Sequence, residues 1–123
     1  MEVFITVLLI LFLGSWAIAF LPQIRLYFPK GIPLAPKWAG GTSFLCFCSL
    51  KCNKIEFDNS NYYQKIARHE YCHQLQQRYL SPMVFGIFYF GEMVVRRVFF
   101  EKEWYSAYAN LSWEKQANRY MEK

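Results

Sequence analysis

Both histidines of this chain fall in one pentapeptide, His69-Glu70-Tyr71-Cys72-His73. On an α-helix, residues i and i+4 share a face with their Cβ atoms about 5–6 Å apart. Two imidazoles so placed can reach one Zn²⁺ at about 2.0–2.1 Å. Glu70 follows the first histidine, rotated about a third of a turn, where its carboxylate can act on water instead of binding metal. Zinc lowers the pKa of water towards neutrality, and Glu70 would take the proton as general base. The spacing therefore predicts Zn²⁺ on His69 and His73, with Glu70 catalytic. The competing explanation is a chance match on an ordinary helix. Against it, no histidine is used elsewhere, and the segment reads as helix on other grounds.

Those grounds are local. Asn59-Ser60-Asn61 is a cluster of capping residues, with Gln64 three positions after Asn61, and no Gly or Pro follows until Ser81-Pro82. A helix from there to about Leu80 is expected. A catalytic zinc site also needs a third protein ligand and an open position. With no third histidine, the downstream candidates are Glu92, Glu101, Glu103 and Glu114, while Cys72 is too near His73 on the same helix. Glu92 lies 19 residues after His73 and could equally pair with Arg96 one turn on. Glu114 could equally be a solvated carboxylate in the first turn of a helix, favoured by the helix dipole.

The remaining elements must position these groups. Met83 to Phe100 is apolar on every face up to Glu92, so it is buried or lies against lipid. A last helix is expected over Trp113 to Glu122, capped by Asn110-Leu111-Ser112. Upstream, Ser43–Leu50 suits a buried strand, and Lys54–Asp58 alternates polar and apolar after Lys51-Cys52-Asn53. Together they predict a β-hairpin. Residues 22–41 hold four of the five prolines and three of the six glycines, which predicts an irregular connector.

Residues 3–20 carry no charged side chain, and about 20 apolar residues in a helix span a bilayer. Ala17-Ile18-Ala19 resembles a signal cleavage site, but a signal begins with a basic region, and only Glu2 precedes this apolar run. Arg25, Lys30 and Lys37 all follow it. The expectation is an uncleaved single-pass membrane anchor over 1–21, with membrane lipid as a partner and the rest of the chain cytoplasmic. The four cysteines fit buried free thiols in a reducing compartment, since Cys46-x-Cys48-x₃-Cys52 lacks the knuckle spacing of zinc sites. The 123 residues are 54% apolar and 20% aromatic, with a mean hydropathy of +0.04. Such a composition excludes a disordered tail. The net charge of +5 is scattered, with no run beyond Arg96-Arg97 and no nucleic-acid motif, so no nucleic-acid partner is expected.

The tail Trp113-Glu114-Lys115-Gln116-Ala117-Asn118 resembles the E-x-x-A-D helix of integral-membrane and membrane-anchored zincins. The region 42–123 is also similar to small bacterial proteins with H-E-x-x-H, an apolar aromatic helix containing Glu, and a W/F-E-x-x-A tail. H-E-x-x-H is the one specific motif of that resemblance. It implies Glu114 as the third zinc ligand, with Glu92 the alternative, and Ala117 as the residue that permits close helix packing. Asn118 stands where those families have the Asp that orients a ligand histidine. The 19-residue spacing of Glu92 resembles that of thermolysin-like enzymes, although Met93-Val94-Val95-Arg96 departs from their motif.

The expected fold is α+β, mainly α with a small β-hairpin: an anchor (1–21), a connector (22–41) and a minimal zincin-like domain (42–123). Gln76 falls on the histidine face, and Tyr105, Tyr108 and Tyr120 are candidate oxyanion donors, although aromatics at such spacing usually pack. The expected function is hydrolysis of a peptide or protein substrate by a zinc metallopeptidase. The alternatives are a non-catalytic membrane protein with a structural zinc site and an interaction module whose motif is accidental.

Overall fold

The helix α3 (Asn61–Leu80) is the axis of the molecule, and every other part that matters to the histidines packs on it. It begins where its capping residues stand: the Ser60 hydroxyl accepts from the Tyr63 N–H at 3.4 Å. It ends at Ser81, whose φ of 74° and following proline cannot continue a helix. The structure, a computed structural model, describes residues 1–122. Lys123, the last residue of the expected domain, lies outside them.

The architecture is mainly helical with one small sheet. Helix α1 (Glu2–Ala19) is followed by strands β1 (Ile24–Tyr27), β2 (Gly41–Phe44) and β3 (Phe47–Leu50). A short α2 (Lys54–Asn59) leads into α3, and then come α4 (Pro82–Phe99), α5 (Trp104–Ala109) and α6 (Ser112–Met121). The sheet order is β1-β3-β2, with β1 parallel and β2 antiparallel to β3.

Two expectations are corrected here. The hairpin partner of the Ser43–Leu50 region is not Lys54–Asp58. The run folds on itself, with Phe44 opposite Phe47, and Lys54–Asn59 is a helix. Asn53 accepts from the Glu56 N–H at 2.7 Å while the Glu56 carboxylate accepts from the Asn53 N–H. This reciprocal cap outweighs five residues of alternation. The Pro/Gly-rich stretch is not wholly irregular either, because Ile24–Tyr27 adds to the sheet, pairing Ile24 with Phe47 and Tyr27 with Leu50.

The sheet closes on α3 through Gly41, where a Cβ would lie 2.6 Å from Ile66 Cγ2. Cys48, Leu50, Cys52, Phe57 and Ala67 form the core beneath it. All four cysteines are buried, and no disulfide joins them, as the sequence predicted. The buried face of α3 is otherwise unusually polar. Glu70, His73, Gln74, Gln76 and Gln77 are all buried. Burying amides is tolerated when they are hydrogen-bonded, and these tie other elements to the helix. Gln77 Oε1 accepts from the Leu45 N–H in the β2–β3 turn. Gln74 Nε2 donates to the carbonyls of Ala19 and Leu21.

Helix α1 is long and apolar enough to cross a membrane, and almost all of it is exposed. Its covered positions (Phe12, Ser15, Trp16 and Ala19) form one stripe in the last two turns, which packs on α3 and α4. Trp16 Nε1 donates to the Arg78 carbonyl at 2.8 Å, and Arg78 Nε donates to the Ala19 carbonyl at 2.7 Å.

Candidate metal centre

His69 and His73 project from one face of α3, their ring centroids 4.9 Å apart. Helix α6 packs against that face, and Ala117, fully buried, allows the close approach. Glu114, in the first turn of α6, is thereby aimed between the two rings. Its Oε2 lies 2.9 Å from His69 Nε2 and 2.8 Å from His73 Nε2. The three ligand atoms lie within 4.8 Å of one another, and this is the one such group among the described residues. His73 and Glu114 are buried, and the His69 side chain is only 11% exposed. Two imidazoles and one carboxylate converging in a dry site can hold a metal ion.

Around this group a hydrogen-bond network fixes orientation. Gln76 Oε1 accepts from His73 Nδ1–H at 2.8 Å, while Gln76 Nε2 donates to Gln116 Oε1 and the Trp113 carbonyl. With Nδ1 so occupied, Nε2 is the nitrogen turned towards Glu114. Tyr89 on α4 donates its hydroxyl to Glu114 Oε1 at 2.8 Å. Phe85, Tyr89 and Trp113 wall the site with aromatic rings.

Glu92 is engaged elsewhere. Its carboxylate accepts from the Ser112 backbone N–H at 2.6 Å and from the Ser112 hydroxyl, with Arg96 Nε at 3.8 Å. It caps the N-terminus of α6 from a neighbouring helix, satisfying an amide the helix itself leaves open. Its contribution to the centre is to hold the element that carries Glu114. Asn118 is a correction: it is exposed, and the hydrogen bonds of His69 and His73 go to Glu114 and Gln76, none to Asn118. Gln76, one turn along α3 from His73, takes the orienting position instead. Among the tyrosines, Tyr108 lies close enough to Glu114 for that carboxylate to act on its phenol. Tyr105 is exposed, and Tyr120 packs on Tyr71. Tyr89 was not singled out by the sequence, because nothing in type or spacing separates it from the other aromatics of α4.

Charge follows geometry. Burial acts most strongly on His73 and opposes its protonation. The Glu114 hydrogen bond, the charges of Glu70 and Glu114 and the Gln76 oxygen outweigh it, so the imidazole is pushed up to about 9. Burial also raises Glu114, but its bonds to His69 and His73 prevail and hold it well below the ordinary carboxylate range. Glu70 goes the other way: burial raises it, partly offset by the two histidines. Burial, then the Glu114 and Glu70 charges, keep the Tyr108 phenol protonated.

The sign of the pH dependence follows from these shifts. His73, raised above 6.5, contributes stability that is complete below pH 6.5 and is lost as pH rises through 9. The raised Glu70 also loses stability with rising pH. Glu114, lowered from 4.5, contributes above that value and loses its contribution only as pH falls. The metal-free chain is therefore expected to be more stable to denaturant at pH 6.5 than at pH 9. Metal must displace the His73 Nε2 proton, so its affinity should rise across the same interval. Isothermal titration in buffers of different ionisation enthalpy would read the released proton.

The network makes a second prediction. Gln76→Ala should weaken metal affinity by about 10–100-fold, the usual cost of losing a group that orients a ligand, whereas Asn118→Ala should leave it unchanged. Competition with a chelating dye measures both.

No protein-family model matches this chain, and none of the curated proteins or solved structures compared with it does either.

Proposed function

We propose that the protein is a membrane-anchored, zinc-dependent metallopeptidase in which His69, His73 and Glu114 hold the metal and Glu70 is the general base. The observation that carries this is the convergence of His69, His73 and Glu114, with the buried Glu70 at the adjoining position of the same helix. Two imidazoles with one carboxylate suit zinc and match the three-ligand sets of zinc hydrolases. Bound there, zinc would supply a Lewis acid for the scissile carbonyl and lower the pKa of water.

The chain's own groups do the rest. Glu70 takes a proton from the attacking water and returns it to the leaving amine. Burial, by raising its pKa, suits it to both tasks near neutrality. Gln76 keeps His73 in the ligating tautomer, Tyr89 and Glu92 hold Glu114 in place, and the protonated Tyr108 phenol beside Glu114 would turn to donate to a substrate oxygen. Helix α1 serves as an uncleaved anchor, with Arg25, Lys30 and Lys37 on the cytoplasmic side. The substrate is a peptide or protein near the membrane. The test is cleavage of a fluorogenic peptide library by the full chain in vesicles. Chelation should abolish it and added zinc restore it. A chain that binds no zinc would overturn the proposal.

The burial of His73 and Glu114 favours a second possibility, a structural zinc site without catalysis. Chelation would then unfold the chain, and no peptide would be cut under any condition.

A further inference from the structure

Helix α4 has two opposed faces. Phe85, Tyr89, Glu92 and Arg96 recur at helical spacing and are covered to varying degrees by α3 and α6 or by one another. On the other side stand Ile87, Phe90, Val94 and Val98, within an arc of about 80° at about 100° per residue. All four are at least half exposed. Phe88, Val95 and Phe99, also exposed, lie about 80–120° round the helix from Ile87 and widen this apolar face on one side. No charged side chain interrupts it. Soluble monomers rarely leave so large a continuous apolar patch in water.

The occupant is identified by what lies beside this face. α4 packs against the last two turns of α1, the helix whose remaining surface is apolar, exposed and long enough to cross a bilayer. The joint between them is fixed by the Trp16 and Arg78 hydrogen bonds. A bilayer around α1 therefore reaches α4 where α1 leaves it. The far end of α4 carries groups that favour a membrane surface: Arg97 lies over the ring of Trp104, 5.5 Å from its centroid, and Trp104 and Tyr105 are exposed. Amphipathic aromatic rings and basic side chains concentrate at that boundary.

We infer that the outer face of α4 (Ile87, Phe90, Val94 and Val98) inserts into the bilayer that α1 crosses, so that the metal centre on its inner face is held against the membrane surface. The inference rests on α1 being a membrane anchor and is independent of whether the centre is catalytic. Because Tyr89 and Glu92 lie opposite the inserted residues, one rigid helix joins lipid to Glu114. Under the proposed function, the substrate class narrows to polypeptide segments lying on, or emerging from, the membrane surface.

The experiment places a nitroxide on the full chain at Leu9→Cys, Phe90→Cys, Val94→Cys or Ile55→Cys, in vesicles of phosphatidylcholine and phosphatidylglycerol. The four native cysteines are buried, and the unsubstituted chain gives the labelling baseline. Each variant is first required to keep the parent's circular dichroism spectrum. Collision with oxygen is then compared with collision with a water-soluble nickel chelate. The expected result is an oxygen-to-chelate ratio severalfold higher at Leu9, Phe90 and Val94 than at Ile55, which is exposed on α2. Leu9 in lipid with Phe90 and Val94 in water would overturn the inference and leave the anchor standing. All positions in water would remove both. Labels at Phe90 and Val94 shielded from both reagents would mean that a second protein surface covers α4, which also overturns it.

Discussion

Replacing Glu114 with alanine should empty the centre: about one zinc per chain in the parent, the count for a mononuclear site, should fall to a small fraction in the variant. The reason is the geometry of α6. Among the described residues, Glu114 is the carboxylate that bonds both Nε2 atoms, at 2.8 and 2.9 Å, and Glu92 cannot replace it while it caps Ser112. Losing a ligand should exceed the about 10–100-fold cost of losing an orienting group. The metal-free protein should suffer too. The Tyr89 hydroxyl and the His73 imidazolium would lose their acceptor in a buried place, and breaking such a buried pair costs about 3–5 kcal/mol. Glu114→Gln separates the two effects, because the amide keeps a neutral acceptor for Tyr89 while weakening metal binding. Elemental analysis of the full chain in detergent, with denaturant unfolding beside it, reads both. Full zinc in Glu114→Ala would exclude this carboxylate as a ligand.

Glu70→Gln should separate binding from chemistry. Glu70 is 5% exposed. The amide is nearly the same size and removes a buried charge, so the fold and the zinc content should survive. Peptide hydrolysis should fall by about 10²–10⁴-fold, the usual contribution of a positioned general base. Cleavage by the variant at the parent's rate would rule out Glu70 as the base. Zinc retained by a parent that cleaves nothing would favour the structural alternative.

The residues of the centre were legible because their types are rare and their spacing is local. His69, Glu70 and His73 declare themselves on one stretch of helix, and Ser81-Pro82 marks where that helix must stop. Glu114 was reachable only through its surroundings in the tail. What stayed hidden was everything set by packing across distance. The strand Ile24–Tyr27 exists because β3 offers it a partner some 20 residues later, which no local pattern announces. The helix Lys54–Asn59 was obscured by an alternation that its Asn53–Glu56 cap overrode. Gln76, expected on the histidine face, orients His73 in place of Asn118, because the rotation of α6 against α3 decides which side chain meets that imidazole. That rotation is set by the Glu92–Ser112 contact and by the small Ala117.

The joint between α1 and α3 has a mechanical consequence. The carbonyls of Ala19, Phe20 and Leu21 are claimed by Gln74, the residue after His73, and by Arg78, little more than a turn beyond it on the same rod. There is no slack leash between α1 and the histidines. If α1 crosses a bilayer as proposed, any tilt that suits it to a thinner or thicker membrane would turn the histidine helix with it as the other arm of a lever. Acyl-chain length thus becomes a variable acting on the metal centre, readable as a graded change in zinc affinity across vesicles of increasing thickness. Severing the chain after Ala19 would take out the pivot itself.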